Sequence, residues 1–315
     1  MQNKTILKRV IRIAVSAVLI LILCLNIDFA TVWNDLINMR PWFLGLIILF
    51  AAIAVVVAVA KWRVLLPEVP FAPFLKAFLY GCFFTLVLPG QVFGEAAKIA
   101  IFGRYTDSYD RSISTVIIDK ITGIISLIIT GLIGLLFTKL ELPVAFAAIL
   151  IAIMVVLLVL LFSLRAERVH QAVLRLVGAP KRKSPKFNKA CDSVANFVDT
   201  WRAYLFKPAL LGKSLAMGIL FNVALLSQYI LVCWQYNIPI SVIDMCWIMA
   251  IVNVMQVLPI SLAGIGVRDA SLVTMFAYIG IAKESAMIMA MVLLLVIIFR
   301  AIAGAGCILY DMIRK

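Results

Sequence analysis

Two short stretches carry the residue types and spacings that could do chemistry. In Leu88-Pro89-Gly90-Gln91-Val92-Phe93-Gly94-Glu95-Ala96-Ala97-Lys98 a proline, two glycines, an amide, a carboxylate and an ammonium follow an apolar run. Leu258-Pro259-Ile260-Ser261-Leu262-Ala263-Gly264-Ile265-Gly266-Val267-Arg268-Asp269 repeats the layout, and in both copies a glycine stands five residues after the proline. Ionisable groups set in apolar sequence are costly, so their positions are informative. Glu95 and Lys98, three apart, share one face of a helix beginning near Gly94; they bind substrate or form an internal ion pair. Arg104 follows at the membrane boundary, and Gln91 adds an uncharged hydrogen-bonding group. Pro and Gly free main-chain N–H and C=O groups, which must be buried in protein or line a wet cavity. A helix starting at such a break also turns its positive end toward an anion. Arg268 offers a planar fork to a phosphate or carboxylate; the alternative is pairing with Asp269 or Glu95. Asp119 and Lys120 lie inside an apolar span, and so does Arg300, which either faces a cavity or snorkels to the surface.

The elements that must position these groups follow from composition. Of 315 residues 65% are hydrophobic and 14% charged, and the mean hydropathy is +1.12, more apolar surface than a soluble chain of this length can hide. Six continuous apolar runs, about 10–27, 42–60, 112–138, 142–164, 209–233 and 285–309, are long enough to cross roughly 30 Å of hydrocarbon. The run before Pro89 reaches only roughly 18 Å and the one before Pro259 roughly 21 Å as helix. Each meets its break and continues as a second short piece, the mark of broken or re-entrant helices in corresponding positions of two halves. The fold class expected is an all-α polytopic membrane protein, with about six full transmembrane helices and two re-entrant helical hairpins in an inverted repeat. As a single integral domain over 1–315, it divides into 1–164 with a hairpin at about 71–103, a basic amphipathic loop at 165–208, and 209–315 with a hairpin at about 242–282.

Basic residues set the orientation. The 165–208 loop carries ten Lys or Arg against three acids, while the segments assigned outside hold only Arg40, Lys139 and Lys283. Both termini therefore fall in the cytoplasm. In that loop Phe187, Cys191, Val194, Val198, Trp201 and Leu205 form an apolar stripe beside the basic turn Lys181, Arg182, Lys183 and Lys186. The reading is a helix in the headgroup layer that meets anionic lipids, with docking of a partner enzyme as the alternative. His170, the one histidine, reads as a surface residue. The net charge of +14 belongs to lipid headgroups, because no basic-plus-aromatic nucleic-acid module is present. Six scattered cysteines form neither a disulfide framework nor a metal site, and no HExxH, GxSxG or Walker loop occurs. No cofactor, metal or enzymatic reaction is expected.

These two breaks together resemble the family of transmembrane domains named after lysylphosphatidylglycerol synthase, and the resemblance spans nearly the whole chain. The family's Pro-Gly-x-x-Gly-Glu element falls on Pro89, Gly90, Gly94 and Glu95 with one additional residue in the spacing. Its Gly-x-Gly-x-Arg-Glu element falls on Gly264, Gly266, Arg268 and Asp269. Asp269 stands where the family has Glu, and Lys98 where it often has Arg. The resemblance implies the flippase part of bacterial aminoacyl-phospholipid synthase/flippase proteins, here as a stand-alone member without the soluble synthetase domain, in the bacterial cell membrane. The function implied is translocation of a phospholipid, aminoacyl-lipid, glycolipid or polyprenyl-phosphate lipid between leaflets. Glu95 and Asp269 would meet cationic or hydroxyl groups of the head, and Arg268, Lys98 and Arg104 its phosphate. Pro89, Gly90, Gln91, Gly94, Asp119, Pro259, Ser261, Gly264, Gly266 and Arg300 complete the expected translocation site. Two other readings stay open: a secondary transporter of a small organic anion, and a non-transporting subunit that recruits a glycosyltransferase or lipid-modifying enzyme through the 165–208 loop. A homo-oligomer is compatible with all three.

Overall fold

The computed structural model describes residues 34, 39–88, 91–106, 109–178, 185–257 and 266–314. Among them are eleven α-helices and no strand: α1 Pro41–Arg63, α2 Phe71–Val87, α3 Gln91–Phe102, α4 Tyr109–Phe137, α5 Val144–Phe162, α6 Glu167–Gly178, α7 Pro185–Leu205, α8 Pro208–Gln235, α9 Val242–Val257, α10 Val267–Tyr278 and α11 Lys283–Ile313. Five of these, α1, α4, α5 with the short turn that follows it, α8 and α11, are long and apolar enough to cross a membrane, whereas α2 and α9 are apolar but short. The span expected at 10–27 lies outside the described residues. Pro41 and Pro208 open α1 and α8 at the first helical position, where a missing N–H leaves no hydrogen bond unmade.

α2 and α3 form an antiparallel hairpin. Phe74 meets Phe102 with ring centroids 4.3 Å apart, Lys98 lies over the Phe78 ring at 4.9 Å, and Gly94 abuts Gly81 and Thr85, so residue numbers rise along one helix as they fall along the other. Two glycines allow the close approach. A Cβ on Gly94 would strike the Thr85 side chain and come within 2.7 Å of the Gly81 carbonyl; one on Gly81 would lie 2.8 Å from Lys98 Cγ. In lipid such small-residue contacts, with interhelical hydrogen bonds, replace the hydrophobic effect as the force between helices.

α9 and α10 form the second hairpin, and the packing of the first repeats in it. Among α1–α4 and α8–α11, exchanging α1 with α8, α2 with α9, α3 with α10 and α4 with α11 maps the set of packed pairs onto itself. Thus α2 packs on α11 as α9 packs on α4, and α8 packs on α4 as α1 packs on α11. The equivalent helices α1 and α8 pack antiparallel, with Trp42 against Trp234 at one end and Lys61 against Gly218 toward the other. Two elements related by a two-fold and running antiparallel require an axis perpendicular to both. The fold is therefore an inverted repeat, the arrangement that places a shared site at mid-depth.

The two hairpins open on opposite faces. Lys76 and Tyr80, near the start of α2, reach Asp311 at the end of α11. At the other face Asp244, near the start of α9, accepts a hydrogen bond from Thr138 just past α4. The α6–α7 segment sits on the face where the first hairpin opens, with Trp201 Nε1 donating to the Leu161 carbonyl at 3.1 Å and the Tyr204 hydroxyl to the Leu65 carbonyl at 3.1 Å. The stripe on α7 is thus divided: Val198, Trp201 and Leu205 are buried against the bundle, while Val194 is exposed. His170 is corrected from surface to buried. It is clasped between Asp199 at 2.7 Å and Arg202 at 3.0 Å, because α6 and α7 fold back on each other.

Candidate functional site

α2 and α3 of the first hairpin, α9 of the second and four long helices line a cavity of about 330 Å³. α3 supplies Glu95 and Lys98, α4 Asp119 and Lys120, α1 Lys61, α8 Asn222, α9 Asn253 and Gln256, and α11 Arg300. Arg300 lies seventeen residues from one end of α11 and thirteen from the other, roughly 26 and 20 Å along the axis, so the cavity is at mid-height.

Its charges pair across helices. Lys61, whose side chain is 5% exposed, donates to Asp119 Oδ1 at 2.6 Å and also reaches the Asp119 carbonyl. Glu95 receives Lys98 at 3.1 Å from its own helix and Lys120 at 3.2 Å from α4. Four cations thus face two carboxylates. The excess is concentrated at Arg300, whose Nε and Nη2 are buried without a hydrogen-bond partner among the described residues. A buried guanidinium is costly unless paired, so this wall has donors free for an anion. Neutral donors surround the charges. Asn222 donates to Ser126 and Thr130 on α4, and Asn253 to the Tyr229 hydroxyl at 3.3 Å. Both amides are tied to neighbouring helices, and the Asn222 contacts also join the two repeats.

The second hairpin treats its charges differently. Arg268 and Asp269 are buried, do not line the cavity, and pair with each other, Arg268 Nε to Asp269 Oδ1 at 2.8 Å. Arg268 Nη2 also donates to the Ala290 carbonyl at 2.9 Å, and Asp269 Oδ2 accepts the Gly266 N–H at 3.2 Å, half of a capping box at the start of α10. Gly266 has φ +91°, a left-handed conformation that favours glycine at this entry to the helix.

Of the residues singled out in the sequence, Glu95, Lys98, Asp119 and Arg300 come together in the cavity. Gly94 is at the hairpin's close contact, and Gln91 opens α3. Arg104 is elsewhere, in a separate polar pocket with Lys76, Tyr80, Tyr105, Asp311 and Arg314. Pro89, Gly90, Pro259, Ser261 and Gly264 lie outside the described residues, as do Lys181, Arg182 and Lys183; Lys186 is in the first turn of α7. Two wall residues escaped the sequence reading. Lys61 looks like a flank because it closes an apolar run followed by Trp62 and Arg63. Asn222 is an uncharged side chain inside a long apolar helix, where its polarity was the available signal.

On the other side of α9 from Asn253 and Gln256, an apolar groove of about 600 Å³ runs between α5, α9 and α10, lined by residues such as Phe146, Ile153, Val254 and Met275. No curated protein matches the chain. The family model described as the lysylphosphatidylglycerol synthase transmembrane region matches residues 9–304, and the chain belongs to that family.

Proposed function

We propose that this membrane protein is a lipid translocase that carries an anionic headgroup, a phosphate in the first instance, between leaflets. The observation that carries the reading is the cavity at mid-height between two oppositely oriented hairpins, with four cations against two carboxylates and one of the four, Arg300, left with two nitrogens unpartnered among the described residues. An oxyanion seated there would meet Arg300 and Lys98, and Glu95 would hand Lys98 to the phosphate while keeping Lys120. The apolar groove across α9 suits acyl or prenyl chains, which supports an amphiphile over a fully water-soluble anion. The inverted repeat supports alternating access, in which the two hairpins move against the long helices about the shared site. On this reading the protein is a carrier, and none of its residues makes or breaks a bond. The face bearing α6–α7 is cytoplasmic by its basic content, and the turn around Lys181–Lys186 meets anionic lipid.

The test is reconstitution of the purified chain in liposomes with fluorescent anionic and zwitterionic lipids, reading the fraction exposed to a membrane-impermeant quencher. Anionic lipids are expected to equilibrate between leaflets faster than in empty vesicles, and zwitterionic ones are expected not to. Rates equal to those of empty vesicles for phospholipid, aminoacylated and polyprenyl-phosphate probes would remove the proposal.

A further inference from the structure

Arg104 points to a second site. A polar cavity of about 530 Å³ lies at the open end of the first hairpin, lined among others by Lys76, Tyr80, Arg104, Tyr105, Asp311 and Arg314. It holds three cations and one carboxylate, and that carboxylate is engaged: Asp311 accepts from Lys76 at 2.6–2.7 Å and from the Tyr80 hydroxyl at 2.5 Å. Arg104 is exposed and has no side-chain hydrogen bond or ion pair among the described residues, while Arg314 only donates to the neighbouring Tyr310 hydroxyl at 3.3 Å. A guanidinium fork, an ammonium and phenolic hydroxyls around one space are the donors of an oxyanion site.

The same carboxylate does mechanical work. Through Lys76 and Tyr80, Asp311 ties the base of α2 to the end of α11, the helix on which the first hairpin packs. We infer that this mouth pocket is a second oxyanion site, in which a phosphate group held by Arg104 competes with Asp311 for Lys76 and Tyr80 and so releases the hairpin from α11. The site is distinct from the central cavity. Arg104 stands six residues beyond Lys98 in the chain, roughly 9 Å if helical rise is kept, so α3 joins the two sites. A headgroup can then loosen the hairpin from its mouth before it reaches the cavity.

The experiment uses the full chain in phosphatidylcholine nanodiscs. Inorganic phosphate is titrated in one arm; in the other, phosphatidylglycerol replaces phosphatidylcholine stepwise at zero phosphate. Spin labels at Ala72→Cys on α2 and Leu309→Cys on α11, in a background lacking other cysteines, report the distance between hairpin base and α11. The label pair is expected to separate or broaden saturably in at least one arm. A response to inorganic phosphate identifies a free oxyanion site, and a response confined to phosphatidylglycerol identifies a lipid headgroup site. Arg104→Ala, at an exposed position without a partner among the described residues, is expected to weaken the half-point by roughly tenfold. Asp311→Asn, which removes the competitor, should shift it about threefold or more in the opposite direction. Arg300→Gln should leave the mouth response unchanged, so failure of the central site and failure of the mouth site are distinguishable. No response in either arm, or equal half-points for wild type and Arg104→Ala, overturns the inference.

Discussion

The two hairpins occupy equivalent places in an inverted repeat, yet their charges have opposite fates. In the first, Glu95 and Lys98 face a cavity and share partners with another helix, through Lys120. In the second, Arg268 and Asp269 close on each other, on a helix N-terminus and on the Ala290 carbonyl. A charge pair closed on itself, on a helix N-terminus and on a carbonyl is a structural device: it fixes the entry to α10. A pair set in a cavity beside a guanidinium with two nitrogens unpartnered among the described residues has capacity left for a ligand. A symmetric scaffold thus carries asymmetric chemistry, and the difference lies in which way each hairpin's second helix turns its first charged residues.

Breaking the second hairpin should have the largest effect on stability. Arg268→Ala leaves Asp269 buried with only the Gly266 N–H, and loss of one partner of a buried pair costs about 3–5 kcal/mol. Denaturant-driven unfolding in bicelles should show it, and a change below about 1 kcal/mol would mean the pair is wetter than its burial implies. Gly94→Ala attacks the first hairpin at its contact with Thr85 and Gly81, an overpacking expected to cost about 1–3 kcal/mol in the same assay. It should also lower translocation, because separating α3 from α2 moves Lys98 in the cavity wall.

The smallest effect lies outside both hairpins and serves as a control. Hydrogen bonds from Gln171 and then Arg202 hold the Glu167 carboxyl below its usual range. Its contribution to docking α6 on α7 is therefore complete above the ordinary glutamate value of about 4.3 and is lost as pH falls through the lowered value. Protection of the 167–205 amides from hydrogen exchange, taken relative to the intrinsic rate at each pH, should fall slightly in that acid window and stay flat in Glu167→Gln. The hairpins should not respond with it.

Much of this was legible in the sequence, for physical reasons. Pro and Gly after apolar runs too short to cross a bilayer mark the hairpins, and α2–α3 and α9–α10 stand at those places. The shared site was legible in Glu95, Lys98, Asp119 and Arg300, since ionisable groups in apolar runs have few places to go. The rotation of each hairpin's second helix was not. Spacing places Arg268 beside Asp269 but says nothing of the Ala290 carbonyl, twenty-two residues away, that completes its partners. Lys61 stayed hidden because the end of an apolar run is where a snorkelling lysine is ordinary; only the packing of α1 on α4 brings it to Asp119.

The contrast between the hairpins is tested most directly by one translocation assay on two double variants, each normalised to folded protein. Lys98→Gln with Arg300→Gln removes the proposed anion seat. Arg268→Met with Asp269→Asn replaces the buried pair while an amide oxygen still caps Gly266. The first variant is expected to fold and to lose translocation of anionic lipid by about a hundredfold, the equivalent of two charge-assisted bonds. The second is expected to keep at least half of the wild-type rate. An active first variant beside a folded but inactive second would contradict this contrast and assign the headgroup to the second hairpin.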